Sequence, residues 1–223
     1  HNPTGVIMND DRRKELIEVA NKYDLLIVED DPYGFFVFDT DKHFTNLKTL
    51  DTEGRVIYMG TFSKILAPGL RLGYIVGNNK IVDAIESLIT ISAINTSTLS
   101  QYIAMYAIKE GVVDETIENA RKVYRSKRDA LMEALEEYLP KGSEYYKPKG
   151  GLFAFIYLPK EVDTTSMLNK AVNRGVAYVP GKNFFADGSG SNAMRINFSY
   201  PSIEKLRKGI KIIGDLAKEE IKK

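Results

Sequence analysis

Cysteine is absent from the 223 residues, which removes disulfides and thiolate chemistry and matches the usage of a reducing compartment. No apolar run is long enough to span a bilayer, and the N-terminus has neither the charged nor the apolar stretch of a signal peptide. No membrane partner is expected, and the chain is read as cytoplasmic. Histidine is scarce: His1 and His43 have no metal-ligand partners at suitable spacing, so no metal is expected. An excess of one charge is missing too. With a net charge of +1 and no long basic or acidic run, nucleic acid is not an expected partner. Gly69 and Gly73 make no dinucleotide fingerprint, and the chain holds no internal repeat or low-complexity tract.

The composition is that of an ordinary globular protein, 43% hydrophobic and 27% charged, with room for one large domain or two small ones. It opens on His1-Asn2-Pro3-Thr4-Gly5, a turn-forming loop without an initiator methionine, so the chain is expected to begin mid-protein. Apolar residues at helical spacing predict a helix over 10–23 capped by Asn9 or Asp10. Leu25 to Val28 is a short apolar run ending in Glu29-Asp30-Asp31-Pro32, the pattern of a buried parallel strand reaching a polar rim. Further strands are expected over 55–59 and 72–76, and two helices over 80–109, interrupted near 95–97. A longer helix over 114–138 carries Ile117, Ala120, Val123, Leu131, Ala134 and Leu135 on one side. Strand-like segments follow over 152–158, 177–179 and 194–198. The last helix turns Ile203, Leu206, Ile210, Ile213 and Ala217 inward.

Ligands of open α/β sheets lie beyond the carboxyl ends of the strands, where Asp30, Tyr33, Thr61, Ser63 and Lys64 fall. Singly, each has an ordinary reading: an acid ending a strand is a turn residue, a lysine after a strand is solvated, a strand arginine pairs with a surface acid. As a set they are far more specific. Asn2-Pro3-Thr4-Gly5, Asp30-Asp31-Pro32-Tyr33, Thr61-Phe62-Ser63-Lys64 with Pro68-Gly69-Leu70-Arg71-Leu72-Gly73, and Arg195-Ile196-Asn197-Phe198 occur in fixed order. In this the chain resembles the fold-type I pyridoxal-phosphate aminotransferases of class I and II over essentially its whole length. Gly150-Gly151-Leu152-Phe153 and Tyr178-Val179-Pro180-Gly181 are similar to small-domain segments of that family.

The resemblance implies an α/β fold, the C-terminal part of a PLP-dependent transferase. Residues 1–110 would be a portion of the large cofactor-binding domain, with a partial, mostly parallel sheet, and 111–223 a small α+β domain. It implies transfer of an amino group between an α-amino acid and a 2-oxo acid such as 2-oxoglutarate, with pyridoxal 5'-phosphate as cofactor. Asp30 would keep the cofactor's pyridine nitrogen protonated, as a carboxylate beside it favours. Lys64 matches the lysine that binds the cofactor's aldehyde and, once displaced, moves the substrate proton. Asn2 and Tyr33 would donate to the phenolic oxygen, and Thr61, Ser63 and Arg71 would hold the phosphate. Arg195, with Asn2, would bind the substrate carboxylate.

The family's N-terminal half, absent from these residues, supplies other phosphate ligands, the aromatic ring stacked on the cofactor and much of the pocket. That half of the same protein is therefore an expected partner, the parent is expected to be a homodimer, and the isolated chain is expected to be weakly active. Glu29 to Tyr33 and Tyr178 to Phe185 most resemble the branch of α-aminoadipate, kynurenine and aromatic amino-acid aminotransferases, though Phe155 stands where relatives often have tryptophan. Two alternatives stay open: the ligand-sensing domain of a transcription regulator, and a PLP lyase or decarboxylase.

Overall fold

A computed structural model of the chain describes residues 1–39 and 44–222; His43 lies outside the described residues. Two compact units result, one of Met8–Ala120 and one of His1–Ile7 with Arg121–Lys223.

The Met8–Ala120 unit begins with α1 (Asp10–Lys22), where the predicted cap is in place: the Asn9 side chain accepts from Arg12 N at 2.8 Å. β1 (Ile27–Asp30) runs parallel to β2 (Val56–Thr61), which pairs antiparallel with β3 (Gly73–Val76). β1 starts two residues later than the apolar run suggested. Leu25 and Leu26 are exposed, while Glu29 is buried within the strand. A buried carboxylate is tolerated here because donors surround it. Glu29 accepts from Leu47 N (2.8 Å) and Lys48 N (3.0 Å) at the start of the short helix α2 (Leu47–Leu50), and from the Arg13 guanidinium at 3.3 Å. Ile17, Leu47 and Val56 form a small core, against which Leu16, Ile27 and Leu50 pack.

Asp51 closes the loop after α2, accepting from Lys48 Nζ (2.9 Å), Val56 N (2.9 Å) and Arg55 N (3.0 Å). Burial by itself would raise its pKa, but these donors prevail and hold the carboxyl at about 2. α3 (Asn79–Ala93) and α4 (Thr98–Lys109) form the expected interrupted pair, capped by Asn78 and Ser97.

In the Arg121–Lys223 unit, β4 (Glu144–Tyr145), β5 (Phe153–Tyr157), β6 (Val179–Pro180) and β7 (Ala193–Asn197) form an antiparallel sheet in the order β4-β5-β7-β6. Alternation sorts its two faces. Ala154, Ile156, Met194 and Ile196 are buried on one, in a core shared with Leu131 and Leu135 of α5 (Val112–Tyr138), Met167 and Ala171 of α6 (Thr164–Asn173), and Leu206, Ile210 and Ile213 of α7 (Ile203–Ile221). Two residues assigned to the inner faces are exposed, Val123 in α5 and Ile203 at the first position of α7. A helix's first residue lies ahead of the turn whose stripe meets the core, which accounts for Ile203. Arg128 is fully buried, donating to Pro148 O at 2.7 Å and to Asp129 at 2.8 Å. A Cβ at Gly5 would lie 2.8 Å from the Pro148 ring, so only glycine lets the opening loop settle there. Among the described residues no helix is long and apolar enough to cross a membrane.

Candidate active site

Strand directions decide which predicted residues meet. β1 and β2 are parallel and β3 returns antiparallel, so Asp30 at the end of β1, Thr61 at the end of β2 and the residues just before Gly73 share one edge of the sheet. The turn after β2 is tight: Leu66 N and Ala67 N both donate to Phe62 O, at 2.9 and 3.1 Å. Lys64 rides on it, exposed, with no hydrogen-bond or ion-pair partner among the described residues; the same holds for the Asp30 carboxylate and the Ser63 hydroxyl. Thr61 is engaged within the turn, its hydroxyl donating to Leu72 O (3.3 Å) and accepting from Ser63 N (3.1 Å). Arg71 follows the 3-10 turn Pro68–Leu70 with a left-handed backbone, φ 49° and ψ 40°, and gives one N–H to Pro68 O at 3.3 Å. For a residue with a Cβ that conformation costs about 1 kcal/mol, the kind of strain found where a side chain is aimed for a purpose.

Tyr33 sits in the turn 31–34, and that turn has fastenings the sequence did not reveal. Asp31 accepts from Gly34 N at 2.7 Å and from the Tyr58 hydroxyl at 3.2 Å. Burial, with Asp31 and Tyr74 nearby, pushes the Tyr58 pKa far above its usual value, so it remains a donor. A Cβ at position 34 would fall 2.2 Å from the Asp31 carboxylate, which leaves glycine as the residue that fits.

Asn2 and Arg195 lie together in the other unit. Arg195 is central in β7, opposite Phe155 of β5 and Val179 of β6. Its guanidinium carbon stands 4.2 Å from the Phe153 ring centroid and 5.2 Å from that of Phe184, and its Nη1 donates to Asn2 Oδ1 at 2.8 Å. No carboxylate pairs with Arg195 among the described residues, which counts against the surface-ion-pair reading. Its remaining N–H groups are available to an oxyanion in a two-pronged bond. Because Asn2 spends its oxygen on Arg195, its amide nitrogen is left as a donor. Phe153 and Phe184 lie in the family-like small-domain segments, but the sequence alone assigns neither a role in the site. The signal for Phe153 was the alternation Phe153-Ala154-Phe155-Ile156-Tyr157, which puts three aromatic rings on the face that carries Arg195.

A family model for aminotransferase class I and II matches residues 1–213. The chain belongs to this family. It is 51% identical to an uncharacterized aminotransferase of Saccharolobus solfataricus, over 99% of this chain and 55% of that protein. To aromatic-amino-acid aminotransferase 1 of Thermococcus litoralis it is 46% identical, over 100% of this chain and 53% of the relative. The crystal structure of Pyrococcus horikoshii kynurenine aminotransferase, solved with PMP, matches with a TM-score of 0.95 at 44% identity, covering 100% of this chain and 55% of that one. The chain therefore spans about half the length of the aminotransferases it matches.

The cofactor of class I and II aminotransferases is pyridoxal 5'-phosphate, and the groups present fit its chemistry. The Lys64 amine suits an aldehyde and the Asp30 carboxylate a pyridinium, neither having a partner among the described residues. The Ser63 hydroxyl and Arg71 guanidinium, on the turn that Thr61 shapes, suit a phosphate. The free amide end of Asn2 suits a phenolate.

Proposed function

We propose that this chain is the C-terminal part of a pyridoxal-phosphate-dependent aminotransferase that moves an amino group between an α-amino acid and a 2-oxo acid, with 2-oxoglutarate as acceptor. The observation that carries the reading is the placement of Lys64, Asp30, Ser63 and Arg71 at one edge of the β1-β2-β3 sheet, with the Lys64 amine and Asp30 carboxylate unengaged by other described residues. Bound pyridoxal phosphate supplies an electron sink that acidifies the substrate's α-carbon. Asp30 would lie against the pyridine nitrogen, where a carboxylate favours the protonated ring. Tyr33 and the Asn2 amide would each serve as donors to the phenolic oxygen, Ser63 and Arg71 would hold the phosphate, and Thr61 braces their turn. Lys64 Nζ would take the proton from the substrate's α-carbon. Arg195, steadied by Asn2, grips the α-carboxylate of donor and acceptor alike.

In this reading residues 1–110 belong to the large domain and 111–223 to the small one, and the complete enzyme works as a cytoplasmic homodimer with the family's N-terminal half. The donor class is drawn from the aromatic, kynurenine and α-aminoadipate branch. The complete protein, reduced with borohydride in the presence of pyridoxal phosphate, should carry the label on Lys64, and Lys64→Ala should lower turnover by about a thousandfold or more. Label on another lysine would refute the assignment. A panel of amino acids with 2-oxoglutarate then ranks the donors. Binding without transamination, joined to an upstream DNA-binding segment, would favour the sensing-domain alternative.

A further inference from the structure

We propose that Phe153, seconded by Phe184, is a positioning residue that holds the Arg195 guanidinium ready for a carboxylate. The inference rests on the reading of Arg195 as the carboxylate-binding residue. A long, flexible arginine loses rotamer freedom when it must present one edge to a ligand, so whatever fixes it beforehand strengthens the encounter. Among the described residues Arg195 has no acidic partner to fix it. Its guanidinium makes one hydrogen bond among the described residues, to Asn2, which anchors Nη1 but leaves the plane of the group free to pivot about that contact.

Two rings supply the rest. Phe153 is two residues before Phe155, the β5 residue opposite Arg195, so it shares Arg195's face of the sheet as its diagonal neighbour. The guanidinium carbon lies 4.2 Å from its centroid, within the range in which a cation is drawn to an aromatic face. Phe184 approaches from the 3-10 turn Gly181–Phe184 at 5.2 Å. It is itself held edge-on against Phe155, with centroids 5.7 Å apart at 90°. Asn2 thus fixes one end of the fork and the rings fix its plane, while neither takes the N–H groups that a carboxylate needs. An acidic partner would also steady the arginine, but it would occupy them.

A pair of unreactive probes tests this on the complete, cofactor-loaded protein: 3-phenylpropionate, which carries the carboxylate, and 3-phenyl-1-propanol, which lacks it. Phe153→Leu should weaken 3-phenylpropionate about tenfold, equivalent to about 1.4 kcal/mol, leave the alcohol within about twofold, and raise KM for donor and acceptor while kcat changes little. Phe153→Tyr keeps a π face and should restore the preference for the acid; Phe184→Leu should give the same pattern, smaller, and serves if Phe153→Leu fails to fold. Equal weakening of acid and alcohol would overturn the proposal and make Phe153 an apolar wall. Arg195→Lys is measured alongside. If that variant leaves the acid-over-alcohol preference intact, the reading of Arg195 is what fails; if it abolishes the preference while Phe153→Leu does not, only the positioning role falls.

Discussion

In the Arg121–Lys223 unit, α6 and α7 bury Met167, Ala171, Leu206, Ile210 and Ile213 in a closed core, whereas α3 of the Met8–Ala120 unit buries none of its residues and leaves Ile91 82% exposed. α4 behaves similarly, with Leu99 71% exposed. The sheets differ in the same way: one has a sealed face beneath β5 and β7, and the other shows Val28, Ile75 and Val76 to solvent. The unit with the self-sufficient core carries Arg195, the proposed carboxylate-binding residue. The one with uncovered apolar surface carries Lys64, Asp30, Ser63 and Arg71. In the proposed reading the carboxylate-binding Arg195 and most of the cofactor's groups rest on separate units, Asn2 being the exception, and replacing Arg195 should spare cofactor retention.

The largest expected effect tests that separation. Arg195→Lys replaces a fork by a point charge and should lower kcat/KM of the complete enzyme about a hundredfold, near 3 kcal/mol, without altering the absorbance of bound cofactor. Release of cofactor with unchanged substrate affinity would show the division to be false. Next in size is a pH effect confined to the Met8–Ala120 unit. The folded-state pKa of Asp51 is depressed from 3.8 to about 2. Its contribution, about 2 kcal/mol, is therefore present in full above pH 4 and is lost as pH falls from there through 2. Denaturant unfolding between pH 2 and 5 should show this slope, and Asp51→Asn should flatten it. The smallest effect concerns the left-handed backbone of Arg71. Arg71→Gly should raise stability by about 1 kcal/mol in thermal unfolding while weakening cofactor retention on dialysis, a trade of strain for function. A loss on both counts would mean that the arginine side chain braces the turn.

Local signals made much of this legible in advance. Asn9 before α1, the long stripe of α5 and the spacing of Leu206, Ile210 and Ile213 in α7 are each contained within a few turns of chain. β1 was misplaced because the rule that acids mark the rim fails at Glu29, whose donors come from Arg13, Leu47 and Lys48. α6 carries a weaker signal, although Asp163 caps it through Thr165 N and Ser166 N, because its ten residues open on two threonines and lack a long apolar stripe. The candidate site follows the same division. Ser63, Lys64 and Arg71 stand close together in one motif, and the shared edge of β1 and β2 follows from parallel pairing. The bond from Arg195 to Asn2 spans 193 positions, and the clasp of Tyr58 on Asp31 spans 27; no periodicity encodes either.

One partner of Arg195 also bears on how the protein ages. Asparagine side chains decay to acids when the next residue's backbone nitrogen attacks the side-chain carbonyl, and an acid at position 2 would set a permanent carboxylate against the Arg195 guanidinium, an inhibitor built into the chain. The residue after Asn2 is Pro3, whose nitrogen carries no hydrogen and cannot complete that attack. The amide on which Arg195 depends is thereby sheltered from the commonest route of spontaneous damage.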